Sequence, residues 1–155
     1  INPPIILYYV QGIHTAPVHA HGALFGVYGF FAMALMLFSV RHIISKKAWS
    51  DRLLKYSFIG LNAGLLGMLV FSLIPAAFYQ FYHAVDKGIW YARSPEITTG
   101  SFIKTVSWMR IVPDILFTLG GFALLVFIIR GILLSRDKLV SDWRENRNHF
   151  QGNLE

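Results

Sequence analysis

The chain has 155 residues, 55% of them hydrophobic and only 14% charged, with a formal net charge of +6 and no cysteine. Charges segregated from long apolar runs read as a membrane protein, and the missing thiols exclude disulfides, thiolate metal sites and cysteine nucleophiles. The basic residues flank the apolar runs and form no stripe across a soluble face, so nucleic acid is excluded as a partner.

Residues Ile1 to Gly12 carry no basic n-region and no small-residue cleavage site, and so do not resemble a signal peptide. The chain opens without an initiator Met. We expect residues 1–155 to be a single membrane segment belonging to a longer polypeptide.

A helix needs ~20 apolar residues to cross the hydrocarbon core. The first run meeting that requirement predicts a helix over about 18–41, uncharged from Gly22 to Ser39. The second predicts a helix over about 52–82, with its cleanest stretch from Ile59 to Phe78. Ser50 is placed to cap it, with Asp51 in the first turn. Pro75 is expected to kink this helix or to mark its outer end. The third run predicts a helix over about 104–136, uncharged from Ile115 to Ile129 and interrupted early by Pro113 and Asp114. Residues 137–155 read as a short surface helix or a loose end. The fold class is therefore all-α and integral to the membrane.

Gly26, Gly29, Gly60, Gly64, Gly67, Gly120 and Gly121 fall inside the spans. Small residues in lipid let helix backbones, or a flat cofactor, approach closely.

Orientation follows from basic residues. Arg41, Lys46, Lys47, Arg52 and Lys55 lie between the first two spans, and Arg130, Arg136, Lys138, Arg144 and Arg147 follow the core of the third. Only Lys87, Arg93, Lys104 and Arg110 lie on the other side. The bias puts the first connection and the C-terminus in the cytoplasm, and the N-terminal end with the 83–103 connection outside. Tyr8, Tyr9, Tyr82, Trp90, Tyr91 and Trp108 then fall at the outer interface, as an aromatic belt does.

His19-Ala20-His21, at the outer end of the first span, is the informative motif. Polar ionisable groups at membrane depth are costly and usually functional. Residues two apart on a helix differ by ~200° in direction, so these imidazoles point to opposite sides. They cannot share one metal, as His pairs four apart do. They can serve two metals, and two haems flanking one helix satisfy that geometry. The alternative is two polar residues at a helix mouth, bonded to loops or water. His83 lies at a similar depth and is a rival ligand that could close a bis-His haem with His21. His14, His42 and His149 follow no ligand spacing and read as structural or solvated.

The segments Ile1-Asn2-Pro3-Pro4-Ile5-Ile6-Leu7-Tyr8-Tyr9 and His19-Ala20-His21-Gly22-Ala23-Leu24-Phe25-Gly26-Val27-Tyr28-Gly29 resemble the late helices of bacterial nitric oxide reductases, relatives of the haem-copper oxidases. The likeness continues through Gly60-Leu61-Asn62, Pro75-Ala76-Ala77-Phe78-Tyr79-Gln80, Trp90-Tyr91-Ala92-Arg93-Ser94, Trp108-Met109-Arg110-Ile111-Val112-Pro113-Asp114 and Leu119-Gly120-Gly121, covering the chain to about Arg136. It implies that His19 ligates the high-spin catalytic haem and His21 the low-spin, electron-transferring haem. It implies two haems of b type, and a non-haem iron ligated by residues outside this segment. Two NO would become N2O and water, in a bacterial or archaeal cell membrane. The partners would be the remaining helices of the same enzyme and a quinol or cytochrome c donor.

The string Gly22-Ala23-Leu24-Phe25-Gly26 is more similar to the quinol-dependent branch, in which Asp114 lies near the quinol; the plain alternative is a helix-start carboxylate. Arg110 and Arg93 are candidate partners for haem propionates, or else interfacial anchors. Relatives commonly carry a His where this chain has Gln11. Other readings are an oxygen-reducing oxidase, a small haem-b electron-transfer anchor, or a cofactor-free membrane protein. The segment by itself is expected to be inactive.

Overall fold

The computed structural model describes residues 4–136, 140, 141, 143 and 144. Most of the tail from residue 137, His149 and the first three residues lie outside them. Every regular element among the described residues is helical. A short helix, Pro4–Val10, precedes three helices long and apolar enough to cross a membrane: span one, Thr15–Ile43; span two, Asp51–Lys87; and span three, Ser101–Leu134. Two further single turns, Ile89–Ala92 and Pro95–Thr98, lie in the connection between spans two and three.

The proline positions explain how the spans depart from regular α-geometry. Span two continues past Pro75 for another twelve residues, to Lys87. A proline supplies no N–H to the carbonyl four residues back, and the turn before it, Leu69–Leu73, is a π-helix that absorbs the change. The span ends where Gly88 adopts φ +90°, a conformation open to glycine. Span three is broken for one residue at Arg110, between Ser101–Met109 and Ile111–Leu134. Pro113 accounts for that break in the same way. Ser50 stands at the start of span two in an extended conformation, but its side chain makes no capping bond. Asp51 instead accepts a hydrogen bond from the Trp49 indole at 3.0 Å.

Spans two and three pack backbone to backbone. A methyl added at Gly60 would meet the Gly120 Cα at 2.8 Å, and one at Gly64 would meet the Phe117 nitrogen at 2.6 Å. A methyl at Gly67 would meet the Pro113 ring at 2.9 Å. Without a hydrophobic drive between helices in lipid, such close contact supplies the association energy. Gly22 and Gly121 face open space or one distant side chain, and so are not part of this seam. At the end nearer the 44–50 connection, Ile44, Ala48, Leu61, Leu124 and Phe127 form a core, with Trp49 edge-on to Phe127. The Ser45 N–H donates to the Ser135 hydroxyl at 2.8 Å, tying the connection to the end of span three.

Span one is the peripheral member. None of its residues from Ala20 to Ile43 is buried, and its first half beyond His19 is a ten-residue π-helix, Ala20–Gly29. Long π stretches are rare and recur at functional sites.

Candidate functional site

His19 and His21 open into different grooves. His19 lines one of about 350 Å³ with Ile6, Val10, Thr15, Val18 and Ala23. His21 lines another of about 450 Å³ with Phe25, Leu65, Met68, Phe117 and the pair Arg110 and Asp114. The first groove is bounded by the N-terminal helix and the second by spans two and three, so the imidazoles face opposite sides of span one.

His21 is also oriented. Its Nδ1 lies 2.9 Å from the Pro17 carbonyl oxygen. A carbonyl only accepts, so Nδ1 carries a proton in this contact and Nε2 is the ring nitrogen left for a ligand. Haem and metal ligands are commonly fixed by such a bond from the second ring nitrogen. The His19 ring is exposed and has no hydrogen-bond partner among the described residues.

Arg110 reaches Asp114 one turn on, its Nε donating to both carboxylate oxygens at 3.0 and 3.1 Å. The two terminal guanidinium nitrogens have no partner among the described residues. The break in span three at Arg110 brings both side chains to the rim of the His21 groove. Arg93 is placed elsewhere. It donates to the Gln11 carbonyl and lies 5.6 Å from the Trp90 ring centre, while its Nε is buried without a partner. It lines neither groove, so the structure brings Arg110 to a haem-ligand candidate and Arg93 to the 11–12 turn.

His83 also lines neither groove. Its ring is set among Tyr79, Tyr82 and Tyr91, with centres 4.7, 5.5 and 5.7 Å away. Its Nδ1 is buried and has no acceptor, in contrast to His21. His42 is exposed, with Nδ1 on the Phe38 carbonyl of its own helix at 3.1 Å. Among the described residues, no three His, Asp or Glu side chains stand together as a metal site.

Gln80 ends the Pro75–Gln80 string that carries the resemblance, but the sequence assigns it no role. It is 2% exposed. Its Oε1 accepts from the His14 N–H at 2.8 Å and lies 2.6 Å from His14 Nδ1, while its Nε2 donates to the Ala92 carbonyl at 3.0 Å. A second signal is its place as a lone amide in the aromatic run Phe78-Tyr79-Gln80-Phe81-Tyr82.

Cytochrome c and quinol oxidase polypeptide I is the protein family that matches this chain, over residues 1–130. The chain belongs to that family. No individual curated protein matches it significantly. It is thus a segment of a multi-pass membrane haem-copper oxidoreductase, whose family binds haems and a metal at a binuclear centre. The residues fit haem: two imidazoles two positions apart, opening into separate grooves, one with its second nitrogen already committed to a carbonyl.

Proposed function

We propose that the chain is the C-terminal membrane segment of a nitric oxide reductase, with His19 as axial ligand of the high-spin haem and His21 of the low-spin haem. The whole enzyme converts two NO, two electrons and two protons to N2O and water. The observation that carries the ligand assignment is the opening of the two imidazoles into grooves on opposite sides of one helix. The choice of NO rests on the string from His19 to Gly29, which resembles that branch.

When bound, the haems supply the electron transfer and the reducing iron. The chain's own residues hold and tune them. Pro17 fixes the His21 ring through its carbonyl. Arg110 offers its free guanidinium edge to a haem propionate, since planar bidentate recognition of carboxylates suits arginine. Asp114, on the other edge of Arg110, accepts a proton from a quinol hydroxyl as electrons leave. Arg93 holds the turn that precedes the ligand helix. Any further ligand of the low-spin haem and those of the non-haem iron would come from other helices. The basic residues favour a cytoplasmic 44–50 connection and an outer position for the histidine pair.

The same ligand geometry serves an oxygen-reducing oxidase. Full-length enzyme supplied with quinol separates the two: the proposal predicts one N2O for every two NO consumed. Rapid oxygen reduction with no NO turnover would replace it with the oxidase reading.

A further inference from the structure

We infer that Gln80 is a positioning residue that sets the rotation and height of the helix bearing His19 and His21, an inference that rests on reading those two as haem ligands. Three bonds over-determine the Gln80 amide. The backbone N–H of His14 requires an acceptor, so Oε1 and not Nε2 faces it at 2.8 Å. The same oxygen, 2.6 Å from His14 Nδ1, can only accept, so that ring nitrogen carries a proton. Nε2 then points at the Ala92 carbonyl, 3.0 Å away, on a residue with no exposed surface.

His14 is the residue immediately before Thr15, where the helix leading to His19 begins. Its own side chain gives that helix no cap. The start of span one is therefore located by span two, through an amide on the far side of a buried contact, and not by a local capping bond. Two further bonds confine the same turn. Arg93 holds the Gln11 carbonyl, and the Thr15 hydroxyl donates to the Val10 carbonyl. Ile13, Ala84, Ile89 and Ala92 fill the space behind them. Beyond His19 the helix has no fully buried residue; Phe25 meets Phe117 edge-on, and Phe30, Met33, Met36, Leu37 and Val40 pack as partly buried side chains against the core at the far end, away from the start that Gln80 holds. Any turn of its start is transmitted to the imidazoles five and seven residues on. Axial ring orientation in turn tunes a haem's spectrum and potential.

The test uses full-length enzyme with both haems. Gln80→Met removes the amide, His14→Ala removes the Nδ1 contact while leaving the His14 backbone N–H on Oε1, and Gln80→Glu keeps the acceptor facing His14 but puts an oxygen opposite the Ala92 carbonyl. The inference predicts unchanged haem content in all three. Gln80→Met and His14→Ala should shift the low-spin haem's electron paramagnetic resonance g values and its midpoint potential. Gln80→Glu, which loses the bond to Ala92, should also shift both, and the Gln80→Met/His14→Ala double variant should shift no further than Gln80→Met. If Gln80→Met does not assemble, Gln80→Glu and His14→Ala carry the prediction together. Parent g values and potential in a haem-replete Gln80→Met, or in both Gln80→Glu and His14→Ala, would overturn the inference. His19→Ala and His21→Ala are measured alongside. If those two leave the haem spectrum intact, the ligand reading itself has failed; if they abolish their signals while His14 and Gln80 are silent, only the positioning role has.

Discussion

The His21 imidazole is anchored to the backbone of its own helix, Nδ1 lying 2.9 Å from the carbonyl oxygen of Pro17 four residues earlier. Because the acceptor is a main-chain atom, the proline ring is dispensable to it. Pro17→Ala should keep the low-spin haem signal of the full-length enzyme. Loss of that signal in an otherwise intact protein would mean that the proline ring, not the carbonyl, orients His21.

Gly64 touches the Phe117 backbone, whereas a methyl added at Gly22 would meet nothing within 4 Å. Gly64→Leu should therefore destabilise the packing of spans two and three by about 1–3 kcal/mol, the usual cost of overpacking. Thermal unfolding in detergent checks this, with Gly22→Ala as the control expected to match the parent. Equal melting temperatures for Gly64→Leu and the parent would contradict the backbone seam.

Asp114 and Arg110 form an ion pair at the mouth of the His21 groove, the one Nε–H shared between both carboxylate oxygens. With quinol as donor, Asp114→Asn should lower turnover by about 10²-fold, the scale of a lost proton acceptor. Turnover with an artificial electron donor should be spared. Equal quinol-driven rates would remove Asp114 from the site.

Gly12 stands at φ +72°, and a methyl there would also meet the Arg93 guanidinium at 2.8 Å. Gly12→Ala carries a left-handed cost of about 1–2 kcal/mol. Arg93→Gln removes the clasp on the Gln11 carbonyl. Both variants should raise amide hydrogen exchange across residues 11–14. Parent-like protection in Arg93→Gln would show that the turn holds without it.

The three spans are legible in the sequence because apolar run length and charge position act through the bilayer alone, with no tertiary detail needed. The opposed directions of His19 and His21 are legible for a similar reason, since helical spacing fixes them locally. Pro75 reads as a kink or an outer end, yet the helix runs on to Lys87, because a π turn ahead of the proline accommodates the missing N–H. The glycines cannot be sorted by sequence. Gly60, Gly64, Gly67 and Gly120 face a partner helix and Gly22 does not, and that depends on how two distant segments cross. Arg93 and Arg110 look equivalent by depth, but the connection folds Arg93 back onto the 11–12 turn. Gln80 lies in a string that carries the resemblance, but its contacts escape a sequence reading because its partners, His14 and Ala92, are 66 and 12 residues away.

The most direct measurement is the haem spectrum of the full-length enzyme with each histidine of the pair replaced singly. His19→Ala should remove the high-spin signal and leave the low-spin one, and His21→Ala should do the reverse. Both spectra unchanged, or one substitution removing both signals while the other removes none, would contradict the claim that each imidazole holds its own haem.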